Sequence, residues 1–142
     1  MRGIYYKTPI DFEALINKKD AEKISIDNSI SQQIFLISTT ALGECKFDET
    51  FGVEIWEMDF DLLKTDNSLK EFITSSMKKA IVMHEKRLIL EDVEVSVKDH
   101  NLGTFGKRRM KKRVVISVKG QVLETNRPFL FQNSFFVGPL SY

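Results

Sequence analysis

Apolar residues fall on one continuous stripe along residues 68–87, SLKEFITSSMKKAIVMHEKR. Leu69, Phe72, Ile73, Met77, Ala80 and Ile81 recur at the spacing of one α-helix face, with Lys70, Ser75, Lys78 and Lys79 opposite. Ser68 and Glu71 have capping-box spacing, and Asp66 adds negative charge near the positive end of the helix dipole. The pattern predicts a central amphipathic helix that delivers a charged cluster, His84-Glu85-Lys86-Arg87, to the start of a β-rich half.

An earlier helix is predicted from Ile30, Ile34, Ile37 and Ala41, with Phe35 and Leu36 widening its buried face. Asp27, Asn28 and Ser29 are candidate N-caps, Ser29 and Gln32 form a second capping box, and Gly43 follows the expected end at Thr39-Thr40. Residues 42–66 fit neither period. Gly43 and Gly52 punctuate them, acidic residues are dense, and Phe47, Phe51, Ile55, Trp56, Met58, Phe60, Leu62 and Leu63 are spread between. A compact loop with short helical turns, pinned into the core by its aromatics, is expected, with Phe51, Gly52 and Trp56 shaping it.

Beyond the central helix, Val93, Val95 and Val97 alternate with polar residues, as do Val114, Ile116, Val118 and Val122, and Phe129, Phe131, Phe135 and Val137 line a third strand. Residues 99–110 read as a long hairpin connection and Asn126-Arg127-Pro128 as a turn, with Pro139 stopping the last strand. Residues 1–24 read as an irregular arm with Tyr5, Tyr6, Ile10, Phe12, Leu15 and Ile16 as anchors on the core or a partner, and Pro9 opposing an early helix. The whole is expected to be a single α+β domain over residues 1–142: two main helices with an irregular acidic segment between them, packed on a three-stranded antiparallel β-meander.

A formal net charge of +1 gives no global electrostatic case for nucleic acid or acidic lipid. One cysteine, Cys45, excludes an intrachain disulfide and suits a reducing compartment. No run approaches the roughly 20 apolar residues of a membrane span, and the N-terminus lacks a signal-peptide core, so a cytoplasmic location is expected. His84, His100 and Cys45 are too few and scattered for a zinc set, and the acidic run 54–61 lacks the EF-hand pattern, so neither metal nor cofactor is expected. Cys45 with a histidine, or Glu85 paired with Glu54, Glu57 or Asp59, offers residue types for nucleophilic or glycosidic chemistry. Neither has a motif behind it. Lys107 to Arg113 is a basic hairpin tip with only Phe105 and Met110 beside it for stacking; a solvated or protein-docking tip is favoured over nucleic acid. Glu85 and Arg87 admit two readings: a simple ion pair at a helix end, or a buried bidentate pair marking a shaped corner or interface.

In order, Ser29-Ile30, Thr39-Thr40-Ala41-Leu42-Gly43-Glu44, Phe51-Gly52, Ile55-Trp56-Glu57-Met58-Asp59-Phe60, the amphipathic helix, Glu85-Lys86-Arg87-Leu88 and the Val93/Val95/Val97 strand resemble the gpW/gene-25-like family of baseplate wedge proteins. The Gly-Glu…Phe-Gly…Ile-Trp-Glu pattern and the tyrosine-rich arm look most like TssE versions from Bacteroidetes-type type VI secretion systems. In that family a Glu-Pro-Arg triplet follows the second long helix; here Glu85 and Arg87 match it and Lys86 stands in place of the proline. The resemblance implies a non-enzymatic baseplate subunit at a membrane-docked assembly, with wedge proteins and sheath subunits as partners. Glu85 and Arg87 would fix the corner or its partner, and an exposed sheet edge, from the second or third strand, would receive sheath strands. A lysozyme-like cell-wall hydrolase and a regulatory protein-binding module on the same fold are the alternatives.

Overall fold

The computed structural model describes residues 4–17, 20, 22–57, 66–101 and 110–137. In chain order these form β1 (Tyr5–Tyr6), α1 (Phe12–Ile16), β2 (Lys23–Ile24), α2 (Ile26–Thr39), a 3-10 turn (Glu54–Glu57), α3 (Asp66–His84), β3 (Leu88–Asn101), β4 (Met110–Val122) and β5 (Pro128–Val137). The α+β class and the antiparallel meander follow the alternating pattern closely. The sheet order is β3-β4-β5, with β1 and β2 forming a small separate ribbon.

The stripe of α3 is the centre of the core. Leu69, Ile73, Met77, Ala80 and Ile81 are buried, and they join Ile30, Ile34 and Ile37 of α2. The inner faces of the strands complete the cluster through Val93, Val95, Val114, Ile116, Val118, Val122 and Phe129. Period-2 alternation puts these side chains on one face of the sheet, and the helices cover that face. Each large aliphatic buried here contributes about 1.5–3 kcal/mol relative to exposure.

Several local expectations are corrected. The helix α2 starts at Ile26, because Ser25 is the cap: its Oγ accepts from the Asn28 N–H at 3.2 Å. Ser29 and Gln32 therefore form no cap, and both are used by distant partners instead. Phe35 and Leu36 do not widen the buried face; they lie on the outside of α2, 47% and 41% exposed. Ser68 sits inside the first turn of α3 rather than at its cap, since the helix already runs from Asp66. Residues 99–101 and 110 continue the ladder rather than forming a connection, with Asp99 opposite Lys112 and Asn101 opposite Met110. Lys107, Arg108, Arg109 and Pro139 lie outside the described residues.

The arm is not irregular. β1 pairs antiparallel with β2, and Asp11 caps the short helix α1 through the Ala14 N–H at 3.1 Å. Pro9 precedes that cap, where no helical N–H is needed, so it does not oppose the helix. Of the expected anchors Tyr5 is half-buried against the rest of the chain, but the others face outward: Phe12 is 69% and Ile16 79% exposed. Beyond Tyr5, the arm is held by polar bonds, as the Thr8 N–H and hydroxyl both donate to Gln32 Oε1.

The segment between α2 and α3 is a series of turns, as expected, and Phe51 and Trp56 help to hold it, while Met58, Phe60, Leu62 and Leu63 lie outside the described residues. Phe47 is fully exposed, while Val53 and Ile55 are the buried residues. Gly52 has φ 121°, and a Cβ there would come within 2.5 Å of the Thr40 carbonyl oxygen. The Val53 N–H donates to that same oxygen at 2.9 Å, so only a glycine lets the loop close onto the end of α2. Gly43 also has a positive φ, 81°, but nothing lies near its absent side chain.

These two glycines give a direct comparison. Gly43→Ala should cost about 1 kcal/mol, from backbone strain alone. Gly52→Ala adds a backbone collision and should cost about 3 kcal/mol or more. Equal losses in urea unfolding would contradict this account of the loop.

Candidate functional site

The junction between α3 and β3 gathers partners from across the chain. The last turn of α3 leads into Glu85, whose N–H still donates to the Ile81 carbonyl at 2.8 Å. Glu85 is 2% exposed although it carries a carboxylate. Arg87 supplies three donors and reaches both of its oxygens. Its Nε and backbone N–H donate to Oε1 at 2.9 and 3.0 Å, and its Nη2 donates to Oε2 at 2.8 Å. This fork-on-carboxylate geometry is the strong form of an ion pair. The Glu85 bonds are also the leading reason the guanidinium is held above its ordinary pKa.

The remaining groups of Arg87 tie the pair to the fold. Nη1 donates to Ser29 Oγ of α2 at 2.8 Å, and the guanidinium lies 5.2 Å from the centre of the Tyr5 ring of β1. The Arg87 carbonyl accepts from the Leu123 N–H at 2.8 Å, beyond the end of β4. Tyr5 donates its hydroxyl to Glu124 at 3.0 Å in the same turn. Desolvation, followed by that bond, raises the Tyr5 phenol above its ordinary pKa. The corner thus joins β1, α2, α3, β3 and the β4–β5 turn around Arg87.

Lys86, between them, is exposed, and its Nζ donates to the Val82 carbonyl at 3.0 Å. A proline ring would stiffen this turn directly. Here the Glu85 carboxylate does so by accepting the Arg87 N–H two residues on.

The central-segment residues form a second cluster. Phe51 packs edge-on against His84, ring centres 5.1 Å apart, and His84 Nε2 donates to the Thr50 carbonyl at 2.8 Å. The loop is therefore fastened to the end of α3 one residue before the corner. Trp56 goes elsewhere: its Nε1 donates to the Ser38 carbonyl at 2.9 Å and its ring lies 5.2 Å from Phe135 of β5. Its exposure of 38% makes it a brace at the rim rather than a core residue. Asp48 accepts from the Thr50 hydroxyl and N–H at 2.6 and 2.9 Å, which hold its pKa below the ordinary carboxylate value.

Ser29, Tyr5, Leu123 and Glu124 were not legible as members of the corner. Ser29 carried a capping signal that pointed to a different role, and the others sit far away in the chain with no local mark. Among the described residues no cluster of three or more His, Cys, Asp and Glu side chains could hold a metal ion. No helix among them is long and apolar enough to cross a membrane.

An α+β module closed by a buried glutamate paired to an arginine is what the fold and this site define. A family model described as baseplate wedge protein gp25 matches residues 24–127, and the chain belongs to that family. Among solved structures, a candidate tail lysozyme from Geobacter sulfurreducens is similar with a TM-score of 0.61 and 23% identity, over 82% of this chain and 96% of that one. That likeness is one of fold. No curated protein matches the chain.

The unequal burial of the pair predicts unequal mutants. Arg87→Ala leaves a buried carboxylate unpaired and should cost about 3–5 kcal/mol. Glu85→Ala leaves an arginine that can reach water and should cost roughly half as much. The double variant should be less destabilised than the sum, and additive losses in denaturant unfolding would refute a coupled pair. Separately, Thr50→Val should raise the Asp48 titration midpoint, read by carboxyl NMR. Because folding lowers this pKa, the linked stability is present above the ordinary aspartate value and fades as pH falls through the depressed one. An unchanged midpoint would remove Thr50 as the cause.

Proposed function

We propose that this chain is a TssE-like structural subunit of a contractile injection machine. It would be a cytoplasmic protein that joins a membrane-docked baseplate, binds wedge components and receives sheath strands on its sheet edge. Membership of the baseplate wedge family is the observation that carries the reading. Two surfaces support it. The arm and α2 enclose an apolar groove of about 510 Å³ lined by Thr8, Pro9, Ser31, Gln32, Phe35 and Leu36, suited to a wedge protein. The sheet edge falls to β3 or β5. The second strand, expected above as a possible edge, is β4 and lies in the middle of the sheet.

In this reading Glu85 and Arg87 act by holding the corner in the shape a wedge partner meets, and Phe51, Gly52 and Trp56 hold the acidic loop beside it. No cofactor, metal or nucleic acid enters the function. The hydrolase alternative is disfavoured by the state of Glu85. A catalytic acid must reach its substrate, and this carboxylate is buried with both oxygens accepting from Arg87.

A tagged chain expressed with its contractile apparatus should co-purify wedge and sheath subunits. Arg87→Lys keeps the charge but loses the planar fork, and should reduce wedge recovery roughly tenfold while the chain stays folded. Recovery of neither partner by the wild type would overturn the reading. Cell-wall digestion by the pure protein that is abolished in Glu85→Gln would replace it with the hydrolase.

A further inference from the structure

The two edges of the main sheet differ sharply in how they are guarded. Edge strands present unpaired N–H and C=O groups, and proteins blunt them with charge, bulges or covering elements. β3 has charge and a bulge. Glu91, Asp92, Glu94 and Lys98 sit along it, a register shift breaks it between Leu90 and Asp92, and Lys78 of α3 reaches Asp92 at 3.9 Å. Among the described residues β5 shows neither charge nor a register break along its ladder, and Trp56 packs on Phe135 of its inner face. Its sequence, PFLFQNSFFV, contains no charged residue, and its register against β4 runs unbroken from Pro128 to Val137.

The order of residues in β5 carries more. Three polar residues, Gln132, Asn133 and Ser134, are flanked on both sides by three apolar ones. The pattern reads the same in both directions about Asn133. A two-fold antiparallel pairing requires this symmetry, because residue i of one copy meets j of the other while j meets i. Centred on Asn133, the pairing sets Asn133 against Asn133 of the second copy, Gln132 against Ser134, Phe131 against Phe135, and Leu130 against Phe136. Each pair consists of residues on the same face of their strands, which a two-fold axis perpendicular to the sheet demands. On the inner face, half-buried Phe131 and Phe135 become cross-strand aromatic partners. On the outer face, Leu130 and Phe136, 59% and 48% exposed, cover one another. The absence of charge means that self-pairing places no like charges opposite.

We infer that β5 pairs antiparallel with β5 of a second copy of this chain, joining the two three-stranded sheets into one continuous sheet. The occupant is a second copy because the strand is complementary to itself in pattern, register and charge. The inference does not depend on the proposed function. If sheath strands also use β5, the self-paired dimer is the form that keeps the edge covered until they arrive.

Sedimentation velocity of the purified full chain, over about two decades of concentration, tests it. The wild type should pass reversibly from monomer to dimer, and β5 amides should gain hydrogen-exchange protection as the dimer forms. The double variant Q132K/S134K puts lysine opposite lysine twice and should weaken the dimer about tenfold or more. Q132E/S134K puts opposite charges in the same two positions and should restore or strengthen it. Circular dichroism confirms that both variants are folded. A wild type that stays monomeric overturns the inference, including one whose β5 is protected only by an added strand peptide of another sequence. So does a dimer indifferent to both charge patterns, which would place the contact elsewhere.

Discussion

The bidentate pairing of Arg87 with Glu85 is the constraint on which the rest of the architecture depends. A carboxylate at the end of α3 is drawn into a site with almost no solvent, which is unfavourable unless every lone pair finds a donor. Arg87 supplies side-chain and backbone donors, then spends its remaining groups on Ser29, Tyr5 and Leu123. The direction in which the chain leaves the helix and enters the sheet is thereby fixed. So is the seat of the N-terminal ribbon. Apolar packing alone would hold α3 against the sheet, but it is non-directional and would leave this angle loosely set.

The acidic loop depends on the same end of α3 by a different route. His84 and Phe51 fasten its middle, Gly52 lets it close onto Thr40, and Trp56 reaches across to β5. Residues 84–87 therefore bear two loads. One side of the junction anchors the irregular segment, and the other anchors the arm and the turn after β4.

The contrast between β3 and β5 belongs to this picture. Both are edges of the sheet, but among the described residues only one carries charge and a bulge. An assembly protein needs an edge that accepts a strand, and it also needs that edge not to recruit strands at random. The self-pairing inferred for β5 would meet both demands, because its symmetric pattern specifies one register.

The helix stripe, the three alternating strands and their order were legible in the sequence. Side-chain period follows directly from backbone geometry, and one buried face imposes it on the residues. Glu85 and Arg87 could be singled out as a pair, but not as a buried one. Whether a nearby carboxylate and guanidinium are exposed or desolvated depends on what the remote chain places over them. Ser29 shows the limit well: its neighbours mark it as a cap, yet Ser25 takes that role and Ser29 receives Arg87. The arm misled for a related reason: apart from Tyr5 its anchors predicted burial, while its bonds to Gln32 hold it with Phe12 and Ile16 outward. Sequence by itself determined which faces of the elements are apolar, because that is local. The tertiary structure alone decided which polar groups meet at the corner and which strand is left as an open edge, because both depend on contacts between residues far apart in the chain.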